Sequence, residues 1–75
     1  MVTLYTEGRV RIRMFNGDHN PPHFHIWTPD GDAQVLLADL SVLRGSVSTR
    51  DYELAMRWAR SNIEFLRSEW ERRNG

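Results

Sequence analysis

From Arg9 to Phe15 the chain alternates strictly, with Val10, Ile12 and Met14 on one parity and Arg9, Arg11 and Arg13 on the other. Period-two alternation of that length predicts a half-buried antiparallel strand. A second alternating run, His23 to Thr28, sets Phe24 and Ile26 against His23, His25 and Trp27. Asn16-Gly17-Asp18 between them is turn chemistry. Thr28-Pro29-Asp30-Gly31 predicts a tight turn into a third strand over Asp32 to Leu37. Asp39 to Ser41 turns again, and Val42 to Arg44 predicts a short fourth strand closed by Gly45. Ahead of all these, Val2 to Tyr5 has the makings of a short edge strand, followed by a turn signal at Glu7-Gly8.

The periodicity then changes from two to three and four. Tyr52, Ala55, Met56, Ala59, Ile63, Leu66 and Trp70 form an apolar stripe, widened by Leu54, Trp58 and Phe65. Ser48 is placed as the N-cap, with Asp51 three residues on near the positive end of the helix dipole. Unbroken, this helix would run about 37 Å at 1.5 Å per residue. The expected fold is α+β: a small antiparallel sheet of three or four strands with one long C-terminal helix packed on one face. The core would be Val10, Ile12, Met14, Phe24, Ile26 and the helix stripe. The polar parities, histidine and arginine alike, would then share the opposite, open face of the sheet.

Seventy-five residues predict one domain, residues 1–75, with a modest core. With no cysteine there is no disulfide and no thiolate metal site. No long apolar run or leader-like start is present, which predicts a cytoplasmic protein with no membrane contact. The formal net charge of zero weighs against nonspecific nucleic-acid binding. All ten basic residues are arginine. Arginine suits bidentate contact with phosphate, and genomic base composition can produce the same bias.

All three histidines lie in Asp18-His19-Asn20-Pro21-Pro22-His23-Phe24-His25. The prolines fix their own φ and push the preceding residues toward extended geometry, so this is a stiff turn feeding a strand. His23 and His25 share a strand face, roughly 6–7 Å apart. With His19 and Asp18 just upstream, they are candidate ligands for zinc or nickel, since neutral imidazole suits both metals. The same three histidines are the candidate catalytic groups, because the chain offers no nucleophilic cysteine, phosphate loop or serine elbow. Arg9, Arg11, Arg13 and Trp27 are the candidate substrate-binding residues on the shared face, the arginines for phosphate and the indole for base stacking. The bland alternative is a set of histidines that cap the Pro-Pro turn and a solvated arginine ladder.

The His-x-Pro-Pro-His-Phe-His core, with Gly45, Trp58 and Trp70 behind it, resembles the bacterial domain-of-unknown-function family 4160 over nearly the whole chain. The resemblance implies a gene neighbour of domain-of-unknown-function family 2442 in a toxin–antitoxin-like pair. Many members carry a histidine on the helix where this chain has Asn62.

Two readings follow. In the first, the protein is a toxin-like ribonuclease with His19, His23 and His25 at the reaction centre and RNA held by the arginines. In the second, it is a non-enzymatic binding or regulatory module whose histidine segment is structural or metal-binding. Its partner would be the small neighbouring protein or a second copy of itself in a homodimer.

Overall fold

The computed structural model describes all 75 residues. Five strands form one antiparallel meander in the order β1 (Val2–Glu7), β2 (Val10–Met14), β3 (His23–Thr28), β4 (Gly31–Leu36) and β5 (Val42–Gly45). Two helices follow, α1 (Thr49–Ser61) and α2 (Ile63–Asn74). No helix is long and apolar enough to cross a membrane.

The period-two reading of β2 and β3 holds. Val10, Ile12, Met14, Phe24 and Ile26 are all fully buried, joined by Val35 of β4 and by Ala55, Met56, Ala59, Leu66 and Trp70 of the helices. Full burial of a Val, Ile, Phe or Met side chain is worth about 1.5–3 kcal/mol. Helix and strand propensities differ by only a few tenths per residue, so the stripe decides which face of each element turns inward. In register, Ile12 stands opposite Ile26, Arg13 opposite His25 and Arg11 opposite Trp27.

The sheet has five strands rather than three or four. Gly8 and Arg9 close a tight turn that pairs Glu7 with Val10 and zips β1 along β2, with a bulge between Thr3 and Tyr5. At the other edge β5 pairs with β4. Edge strands have one free ladder side, and every residue of β5 is exposed. Their alternation is therefore weak in the sequence. Gly45 ends β5 at φ +80, where a side chain would run into the Asp32 carbonyl and the Ala33 Cα.

The single long helix is in fact two. Ser48 caps α1 as expected, its Oγ accepting from the Asp51 N–H at 3.2 Å. The break comes at Asn62, whose backbone sits at φ −130, ψ 29. In a continuous helix the Asn62 N–H would bond the Trp58 carbonyl. Here the Asn62 side-chain Nδ2 takes that carbonyl at 2.8 Å, and the backbone N–H turns instead to the Ala59 carbonyl at 3.1 Å. This is the competition by which Asn disfavours helix interiors. The molecule's longest dimension is consequently 31 Å, shorter than the uninterrupted helix would be.

Candidate functional site

The site is built by a loop held at both ends. Leaving β2, the Phe15 carbonyl accepts from Asn74 Nδ2 at 3.2 Å, and the Gly17 N–H donates to the Arg73 carbonyl at 3.3 Å. The Asp18 N–H donates to Asn74 Oδ1 at 2.6 Å. Arg73 reaches Asn16 Oδ1 at 3.2 Å while also paired with Glu69 at 2.9 Å. Beyond the prolines, the Leu37 N–H donates to the Pro22 carbonyl at 3.0 Å. The last turn of α2 and the end of β4 thus fix a segment with no regular structure of its own.

This clamp carries the Asp18 carboxylate onto the start of β3. Its Oδ2 lies 3.0 Å from His23 Nε2 and 3.6 Å from His25 Nε2. One nitrogen from each ring and one carboxylate oxygen all fall within 4.8 Å of one another. Oδ1 accepts from the His19 N–H at 2.9 Å. Burial pushes the Asp18 carboxyl up. The His19 N–H and the neighbouring His23 outweigh that and hold it below the usual range.

His23 sets the electrostatics. Its Nδ1 is 2.8 Å from the Pro21 carbonyl, which can only accept, so Nδ1 carries a proton. Its Nε2 then faces a carboxylate oxygen at 3.0 Å, and two lone pairs at that separation repel. A proton held by either group, or a metal ion between them, would relieve that contact. His25 is less well served. Its Nε2 is buried without a hydrogen bond, the Asp18 oxygen being too distant. Its Nδ1 is 4.0 Å from Asp32 Oδ2, and the Phe15 ring meets the imidazole edge-on at 4.7 Å. Burial and the adjacent His23 hold the His25 imidazole below its ordinary value, against the pull of Asp18 and Asp32.

Of the predicted site residues, the structure gathers Asp18, His23 and His25. His19 stays at the rim, its side chain 93% exposed, with Nδ1 3.4 Å from Asp18 Oδ1 and its ring 6.4 Å from that of His23. An open depression of about 310 Å³ lies over the group, with Phe15, Asn16 and Gln34 on its walls.

Two expectations need correction. Both β3 imidazoles were expected on an open surface, yet His23 is 3% exposed, with Trp70 against its ring at 5.3 Å. The strand parity is right. The last turns of α2, drawn to residues 15–18, bring Trp70 over the beginning of β3 and close what parity alone would leave open. Second, Arg9 does not share the histidine face. It lies in the turn before β2 and pairs with Asp30 and with the buried Asp51, at 3.4 Å from the latter.

Arg11 and Arg13 do lie on the histidine side, opposite Trp27 and His25. Arg13 is half-buried, its guanidinium resting over the half-buried Trp27 ring at 4.4 Å. Arg11 donates to the Gly8 carbonyl at 2.8 Å. Sequence reasoning missed Phe15, Asp32, Asn74 and the Pro21 carbonyl. Asn74 carried a signal only as a helix-ending residue, and a backbone carbonyl carries none.

No curated protein and no solved structure matches the chain. Residues 10–71 match the model of a family described as Domain of unknown function (DUF4160), a span that takes in the clamped loop, the three converging side chains and most of α2. With that much of its length matched, the chain belongs to the DUF4160 family.

Proposed function

We propose that this protein is a non-enzymatic binding module, the partner-binding member of a two-protein pair, whose histidine segment holds a cation and fixes the recognition surface. The observation that carries this reading is the enclosure of His23. Histidine-run phosphodiester cleavage needs one imidazole as base and another as acid, each within hydrogen-bond reach of the substrate. His23 is buried, and its two ring nitrogens are directed at Pro21 and Asp18. His25 aims its Nε2 into the same interior. Of the three rings only that of His19 stands well out in solvent, and a lone exposed imidazole has no second imidazole as its acid partner.

The toxin-like ribonuclease is the second reading, and one observation favours it. Arg13, Trp27 and His25 adjoin on one side of the sheet, where a phosphate and a stacked base would be contacted together. Induced expression in a bacterial host, paired with incubation of the purified protein and RNA, separates the two. The binding-module reading predicts normal growth, intact RNA, and capture of the product of the neighbouring gene. Growth arrest and RNA cleavage, both lost in a folded His25→Ala variant, would overturn it.

A further inference from the structure

We infer that Asp18 Oδ2, His23 Nε2 and His25 Nε2 are three ligands of a late-row divalent transition metal, zinc or nickel, and that His19 turns in as the fourth. The inference deepens the cation-holding part of the binding-module reading and rests on it. The first support is metric. Four ligands at 2.0–2.1 Å around a tetrahedral zinc stand about 3.3 Å from one another. The two nitrogen–oxygen separations, 3.0 and 3.6 Å, bracket that value. One nitrogen of each ring and one carboxylate oxygen lie within 4.8 Å of one another, so the three side chains converge on a single point.

The second support is the set of unmet requirements. His25 Nε2 is buried with no hydrogen-bond partner, and His23 Nε2 confronts a carboxylate with its proton already on the other nitrogen. A buried polar atom without a partner is costly to leave unmet. One divalent ion would satisfy both nitrogens and the carboxylate together, where a proton serves only one pair.

The third support lies in what surrounds the ligands. An imidazole bound to a metal commonly donates its other N–H to a carbonyl or a carboxylate, which fixes its tautomer and aim. His23 has the Pro21 carbonyl at 2.8 Å in that role, while Asp32 Oδ2, 4.0 Å from His25 Nδ1, is a nearby charge and not yet a hydrogen-bond acceptor. His19 is adjacent to a ligand in sequence, exposed, and already 3.4 Å from the Asp18 carboxylate, so its ring has room to close the site from the solvent side. Two nitrogens and one carboxylate oxygen suit zinc or nickel and not magnesium or calcium, which take oxygen shells.

The test is calorimetric titration of tag-free protein at neutral pH with zinc, nickel and magnesium chloride, alongside thermal unfolding with and without chelator. One equivalent of zinc or nickel should bind and raise the unfolding midpoint, the chelator should reverse the rise, and magnesium should do neither. His25→Ala, folded by circular dichroism, should weaken binding at least about tenfold, and His19→Ala by less. No heat and no midpoint shift with zinc or nickel would overturn the site. So would binding that survives His25→Ala and vanishes in His19→Ala, which would place the metal on an exposed histidine alone. If the site falls while RNA stays intact and the neighbouring gene's product is captured, the metal is lost and the partner-binding reading stands; RNA cleavage by a protein that still binds zinc would sink the binding-module reading and leave the site standing.

Discussion

The backbone N–H of Asp18 donates to Oδ1 of Asn74 at 2.6 Å, so the last turn of α2 holds in place the carboxylate that faces two imidazoles. Asn74 also donates to the Phe15 carbonyl, and the two bonds together fasten the loop to the helix. Asn74→Ala should lower stability by about 0.5–1.5 kcal/mol, as expected for losing partly exposed hydrogen bonds. The same substitution should weaken zinc binding severalfold without removing any ligand, since Asp18 would no longer be held over the rings. Paired calorimetry and thermal melts check this; unchanged zinc affinity would show that the clamp does not position Asp18.

The buried and exposed histidines should separate sharply in stability. His23→Ala leaves a void against Trp70 and removes the partner of both the Pro21 carbonyl and Asp18. That variant should lose about 2–4 kcal/mol. His19→Ala touches a solvated ring and should stay within about 0.5 kcal/mol of the parent. Denaturant melts in chelator give both numbers, and equal losses would contradict the enclosure of His23.

Glu69 ties α2 to itself and, through Arg73, to the loop at Asn16. Arg72 and Arg73 hold its carboxyl below the ordinary value of 4.5. A carboxyl depressed in the folded state adds stability that is fully present above the unfolded value and is lost as pH falls through the folded one. Melting midpoints of the parent and Glu69→Gln, followed from neutral pH into acid, should therefore differ most above pH 4.5 and converge below it. A constant offset throughout would show that the pair is not charge-assisted.

Gly45 makes the sheet edge specific. At φ +80, with the Asp32 carbonyl and Ala33 Cα crowding the site of any Cβ, Gly45→Ala should cost about 1–3 kcal/mol. It should also raise hydrogen-exchange rates first at the β4–β5 pairing. A neutral Ala substitution would mean that the turn relaxes freely.

Much of this arrangement was legible because it follows from parity. Val10, Ile12 and Met14 against Phe24 and Ile26 named the core of the sheet, and the same alternation placed Arg13 beside His25. What escaped was decided over long sequence distances. Nothing near His23 announces that Trp70, 47 positions on, will cover it. Arg9 alternates with Arg11 and Arg13, but the buried Asp51 at the start of α1 draws it away. The break at Asn62 turns on one amide outcompeting a backbone N–H for the Trp58 carbonyl, which the apolar stripe on either side conceals.

The claim that ties these observations together is that a cation joins Asp18, His23 and His25. Nitrogen-15 magnetic resonance of the imidazole rings, before and after one equivalent of zinc, reads it most directly. The account predicts His23 Nδ1 protonated throughout, and the Nε2 signals of His23 and His25 moving together to a metal-bound position that saturates at one equivalent. Nε2 signals that stay in place, or a His23 with Nδ1 unprotonated, would contradict it.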